Sequence, residues 1–227
     1  MSLSSLVDKR ILVTQADAFM GPAICQRLHA LGANVIADTD PLLEIDAPAR
    51  LIERTGIPDI LVANLALPAP NTRASEVQEP EWQAVFDTMV HPLMRLCTAV
   101  LPGMQARQRG KILLIGSAAA LRGMKRASSY SAARGAQLAY IQALGVEMAA
   151  DNIQINAIAQ NFVDNPTYFP PEIQANPRFQ QRLANDVPLG RLVSAEEDAE
   201  FVAYLCSDAA NCFVGQVFPL CGGWVTR

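Results

Sequence analysis

"RILVTQADAFMGPAICQRLHALG", residues 10–32, passes from a short apolar run through a turn into a segment whose apolar residues recur at three-four spacing and which ends at Gly32. Apolar strand, tight turn and amphipathic helix in that order open a βαβ unit. The turn, "TQADAFMG" at 14–21, is the point where a phosphate-cradling loop would stand, with backbone N–H groups at a helix N-terminus and glycines to clear the approach. It holds a single glycine, Gly21, and carries Gln15, Asp17 and Phe19 where small residues are needed. An Asp17 carboxylate about 4 Å from a phosphate, at an effective dielectric near 20, would repel it by roughly 4 kcal/mol. Taken alone, Asp17 reads as a residue near a helix start, whereas Phe19 is large enough to fill cofactor space and wall a smaller pocket.

Further apolar runs follow at "VIAD" (35–38), "DILVAN" (59–64), "KILLIGS" (111–117), "IQINAIA" (153–159) and "GQVFPL" (215–220), with helix-like stretches such as "AARGAQLAYIQALGVEMAA" between them. Runs rich in Ile, Leu and Val that alternate with helices read as buried parallel strands. The pattern predicts an α/β fold, a doubly wound parallel sheet of about seven strands with helices on both faces, in one domain over 1–227. Only about twenty residues, 39–58, separate the second run from the third, too few for two helices and a further strand. The shortening falls where an adenosine half would be walled. The loosest region is "QNFVDNPTYFPPEIQANP", 160–177, after a strand end, where folds of this class bind ligands.

Composition narrows the partners. Hydrophobic residues make up 51% and charged residues 18%, which fits a well-buried interior. A formal net charge of -4 gives no basic field, so no nucleic-acid partner is expected. No run is read as a membrane span, and "MSLSSLVDKR" lacks the order of a signal peptide, so no membrane partner and a cytoplasmic location are expected. Five scattered cysteines read as buried reduced thiols, and two histidines are too few for a zinc site or a Ser-His-Asp triad. His91, in "TMVHPLM", reads as a buried histidine before a helix-entering proline.

The chemistry concentrates in "IGSAAALRGMKRASSYSAARGAQ", 115–137. Ser117 lies at a strand end, and Tyr130 and Arg134 share a helix face at i, i+4. A cation beside a phenol lowers its pKa of about 10 by one to three units and makes the phenolate usable as a base. Either feature alone is weak: Ser117 could order a loop, and Tyr130 could pack beside a solvated arginine.

Together, a strand-end serine, a tyrosine thirteen residues on and a basic residue four beyond that resemble the Ser, Tyr, Lys set of the short-chain dehydrogenase/reductase superfamily, with its Rossmann-like fold. "AVLPGM", "GKILLIGS", "NAIA" and the terminal "GQVFPLCGG" extend the likeness over nearly the whole chain. The departures strike the cofactor and the proton relay. The T-G-x-x-x-G-x-G loop is Thr14 to Gly21, the lysine is Arg134, and the Pro-Gly after the sixth strand is Gln160 and Asn161, with Asn165 at the threonine position. The helical asparagine of the relay has no counterpart between residues 72 and 151. Asp38 stands where an NAD-dependent member places its ribose acid, although by itself it reads as a solvated strand-end aspartate.

This combination resembles the halohydrin dehalogenases, in particular the B-type members, through "TQADAFMG", "VANLAL", "VHPLMRL", "GSAAALR", "YSAARGAQ", "AIAQNF" and "VPLGRL". The resemblance implies an enzyme that needs no cofactor and no metal. Ser117, Tyr130 and Arg134 would be catalytic. Phe19, Gln160, Asn161, Phe162, Val163 and Tyr168, with Phe169 as a further candidate wall, would hold halide and substrate. It further implies a halohydrin or epoxide as small-molecule partner, a halide ion, and a homo-oligomer, dimer or tetramer, built on the helices that flank the site. Read from the residues alone, Tyr168 is as readily a loop-packing aromatic. Two other readings remain open: an atypical NAD(P)-dependent reductase, and an inactive scaffold member.

Overall fold

A computed structural model describes residues 6–226. Half of "MSLSSLVDKR", residues 1–5, on which the expectation about a leader rests, lies outside the described residues. The strands are β1 (Arg10–Val13), β2 (Asn34–Ala37), β3 (Ile60–Asn64), β4 (Gly110–Ser117), β5 (Ile153–Gln160) and β6 (Val217–Leu220), each within two residues of the run that predicts it. The helices are α1 (Gly21–Ala30), α2 (Ala47–Thr55), α3 (Glu79–Ala106), α4 (Ala119–Arg122), α5 (Ser128–Met148), α6 (Pro171–Gln174), α7 (Pro177–Asp186) and α8 (Ala195–Cys206).

All strands pair in parallel in the order β2-β1-β3-β4-β5-β6. The sheet has six strands among the described residues, against the expected seven or so. The reason is the short 39–58 segment: a single helix, α2, carries the chain from β2 to β3, so β2 is an edge. Both edges, β2 and β6, are four residues long, and β6 contains Pro219. One face of the sheet packs on α1 and α8 through Ile11, Val13, Ile24, Leu28 and Val202. The other packs on α2, α3 and α5 through Leu12, Leu61, Leu96, Val100 and Ile141.

Local chemistry sets the helix ends. Pro22 sits in the first turn of α1, and Gly32, at φ 84°, ends it with Gly32 N–H donating to His29 O (2.9 Å) and Ala33 N–H to Leu28 O (3.2 Å). Ser194 and Glu197 close a reciprocal capping box on α8.

Several expectations need correction. Pro92 lies inside α3 rather than at its start, and His91 is half-exposed in mid-helix, 2.9 Å from Asp87 one turn earlier. α3, 28 residues long, is the one described helix whose length and composition could span a bilayer. Its Val85, Met89, Leu93, Leu96, Val100 and Met104 are instead buried inside the protein. Of the cysteines, Cys97, Cys206 and Cys221 are buried, Cys25 is half-buried and Cys212 is exposed.

Candidate active site

The strand order reverses between β1 and β3, and the chain leaves both strands, and β4 and β5, at the same edge of the sheet. A cavity of about 260 Å³ opens there, the position such a crevice dictates. Ser117 ends β4 and Gln160 ends β5 directly beside it in register. Tyr130 and Arg134 project from α5, one turn apart, and both are buried.

Arg134 is held from several directions. Its Nε donates to Tyr130 Oη at 3.0 Å, and its Nη1 donates to Leu65 O at 3.0 Å, Ile115 O at 3.2 Å and Gln137 Oε1 at 2.9 Å. Gln137 is itself anchored on Met89 O at 2.8 Å. Among the described residues no carboxylate pairs with this buried guanidinium, and the Tyr130 phenol is the titratable group that its Nε contacts. Burial pushes the Tyr130 phenol up, but the charge of Arg134 and hydrogen bonds from Tyr168, Arg134 and Ser117 outweigh it, and the phenol ends below its ordinary value. Tyr168 moves the other way. Burial and the charge of Tyr130 hold it well above the usual phenol range, so it stays neutral, and its single hydroxyl hydrogen is shared between two alternative acceptors, Leu67 O at 2.9 Å and the Tyr130 oxygen. Tyr168 therefore interacts with Tyr130 as well as packing in its loop.

The turn after β1 keeps the backbone of a glycine loop while bearing side chains. Gln15 and Phe19, the residues at the first two glycine positions, adopt φ values of 44° and 52°. A left-handed non-glycine residue costs roughly 1–2 kcal/mol. Their side chains make compensating contacts. Gln15 exchanges two hydrogen bonds with the backbone of Ala66, Nε2 to O at 3.1 Å and N–H to Oε1 at 2.8 Å. Phe19 lies 5.6 Å from the Tyr168 ring. At the third position glycine is obligatory, since a Cβ on Gly21 would lie 2.4 Å from Gln15 O. Asn64, a residue sequence reasoning did not single out, ties the turn to β3 by donating to Gln15 O and Ala18 O at 3.0 and 3.1 Å.

Two positions that a phosphate-cradling loop keeps clear carry side chains: Gln15 reaches over to the backbone of Ala66, and the Phe19 ring stands 5.6 Å from that of Tyr168. Asp38 is buried rather than solvated and is bound to Arg54 at 2.9 Å, a correction to its reading as a free strand end. Its carboxyl is held up by burial and by Asp40, against the pull of Arg54.

The 160–177 segment is more ordered than its composition suggests. Asn165 donates to Val163 O at 2.9 Å and accepts from Tyr168 N–H at 3.0 Å, which aims Tyr168 into the cavity. The expected row of backbone donors is reduced: Asn161 N–H is taken by Leu220 O at 3.1 Å and Phe162 N–H by Asn161 Oδ1 at 2.9 Å. Among the described residues no acceptor faces the Val163 N–H, and Val163 lines the cavity. Phe169 also lines it, as do Met124, Asn165 and Arg182, which sequence reasoning missed as site residues. The Arg182 guanidinium carbon stands 5.6 Å from the Phe162 ring centre, an approach made by two segments twenty residues apart that carry no local signature.

A family model described as enoyl-(acyl carrier protein) reductase matches residues 45–225. The chain is 31% identical to the 3-oxoacyl-[acyl-carrier-protein] reductase FabG of Pseudomonas aeruginosa, covering 96% of this chain and 98% of that protein. A solved structure titled a dehalogenation enzyme superposes with a TM-score of 0.90 at 32% identity, covering 98% of this chain and 100% of that one. A halohydrin dehalogenase (HheC) bound to ethyl (2S)-oxiran-2-ylacetate superposes with a TM-score of 0.88 at 28% identity, covering 96% and 98%. With its parallel sheet, strand-end serine and helical tyrosine beside a basic residue, the chain belongs to the short-chain dehydrogenase/reductase superfamily.

Proposed function

We propose that this chain is a halohydrin dehalogenase that works without a nicotinamide cofactor, converting a vicinal haloalcohol to an epoxide with release of halide and a proton. The observation that carries the reading is the Tyr130–Arg134 pair, buried and 3.0 Å apart, facing a cavity whose other side is Phe19 in place of a glycine. Ser117 and Tyr130 bind the substrate hydroxyl. Tyr130 removes its proton, and the alkoxide attacks the neighbouring carbon from behind, closing the ring and expelling chloride or bromide. The Val163 N–H and the aromatic walls of Phe19, Phe162 and Tyr168 receive the departing anion. Run backwards, small anions such as azide, cyanide or nitrite open an epoxide. The likeness to the two dehalogenase structures supports the reading.

A pH-indicator assay on a short-chain halohydrin tests it: acid release in step with bromide release is expected, and no release from any such substrate overturns it. Reduction of a ketone with NAD(P)H is the second reading, favoured by the reductases among the relatives. Titration with NADH separates the two, with no change in nucleotide fluorescence expected for the dehalogenase. Assembly as a dimer or tetramer through α3 and α5, where Trp82, Met94 and Val146 are exposed, belongs to the same proposal.

A further inference from the structure

Asp198, on the first turn of α8, is completely buried. Its Oδ1 accepts from Gln160 Nε2 at 2.6 Å, and its Oδ2 has no partner among the described residues. Buried carboxylate oxygens without a donor are expensive to keep, so this one asks for an explanation. Gln160 lines the cavity, and its backbone oxygen accepts from Ala118 N–H at 2.9 Å, next to Ser117. With one of its two N–H groups spent on an ionised Asp198, the amide offers the cavity its carbonyl oxygen, which repels anions, and at most one N–H.

A proton on Asp198 inverts the arrangement. A carboxylic acid donates one O–H, the Gln160 carbonyl accepts it, and the amide NH₂ is released toward the cavity as an anion donor. We propose that Asp198 and Gln160 form a proton-linked anion clasp, in which Asp198 takes up one proton from solvent as the halide is bound and returns it as the halide leaves. The clasp rests on the dehalogenase reading, and it adds a proton-linked step that controls retention and escape of the leaving group. The proton balance of the overall reaction is unchanged.

The surroundings of Asp198 suit this role. Burial pushes its carboxyl up to about 7, with the Gln160 hydrogen bond pulling only partly against it. α8 packs on α1 and β4, and the charged groups there are engaged elsewhere. Arg27 pairs with Glu200 and Arg191 with Glu197. Lys111 faces Cys206 and Asp208 at the far end of the helix, while Glu196 and His29 are exposed.

The test is calorimetric titration of the full chain with sodium bromide in two buffers of different ionisation enthalpy, in a Tyr130→Phe background that removes the phenolate's own titration. Affinity is expected to fall about tenfold between about pH 6 and about pH 8, with close to one proton taken up per bromide at the upper end. Asp198→Asn should bind bromide with no pH dependence, and Gln160→Leu should bind it weakly with none. Bromide binding without proton uptake overturns the clasp, as does a pH dependence that survives either substitution; the wild-type Asp198 protein alone decides the first point. Absence of bromide binding at every pH overturns the dehalogenase reading and the clasp together.

Discussion

Arg134 touches Tyr130 twice over: its Nε donates to the phenol oxygen at 3.0 Å, and its guanidinium carbon stands 5.1 Å from the centre of the same ring. The i, i+4 spacing brings the two together, and the carbonyls of Leu65 and Ile115 fix the fork in place. A lysine would offer a point charge without this fork.

Tyr130→Phe is expected to lower kcat/KM for halide release by about 10²–10⁴-fold, the usual contribution of a positioned general base. Arg134→Lys should lose most of the activity as well. Bromide release followed against time checks both, and unchanged activity in either variant removes the base assignment.

The pH profile follows from the depressed Tyr130 phenol. The base is the ionised form, so activity rises with pH and levels off below the range of a free phenol. Tyr168→Phe removes one hydrogen bond to the phenolate and should move that rise upward by about one unit, within the usual effect of such a bond. Arg134→Gln should move it further. Initial rates over a pH series read the shift.

Much of this site was legible in the chain. The strand runs locate the sheet, and Ser117, Tyr130, Arg134, Phe19 and the 160–163 segment all border one cavity. What stayed hidden depends on distant elements meeting. Asn64 is one residue of a buried strand until the β1 turn folds over it. Asp198 lies in the acidic stretch "AEEDAE", where nothing local separates it from the exposed Glu196 and Glu197. Asp38 reads as a solvated strand end because Arg54, sixteen residues on, reaches it only through α2.

Asp198 also predicts a slope in stability. Its folded value, about 7, lies above its unfolded value near 3.8, so the native state keeps the proton longer. Stability is therefore greatest below about pH 4 as far as this group is concerned, and falls by at most about 4 kcal/mol as pH climbs through 7. Asp198→Asn should flatten that slope in urea unfolding curves recorded across the range.

The glycine-loop backbone gives a paired test. Gln15→Ala keeps the strain of φ 44° and loses both bonds to Ala66, and should destabilise by about 1–3 kcal/mol. Gln15→Gly loses the same bonds but relieves the strain, so it should come out about 1 kcal/mol more stable than Gln15→Ala. Urea midpoints at matched slopes compare them.

Gly21→Ala should be far more damaging, by about 3 kcal/mol or more, because the added carbon meets Gln15 O and Ala16 O, both backbone. Thermal unfolding reads the loss.

Omitting an outer strand brings a hazard of its own, since a bare sheet margin invites a second copy to pair along it. Here each margin offers only four residues, and at Pro219 one of them lacks an amide proton altogether. So brief a template gives lateral fibril growth little to extend from, and the trimmed sheet remains guarded against self-association by strand addition.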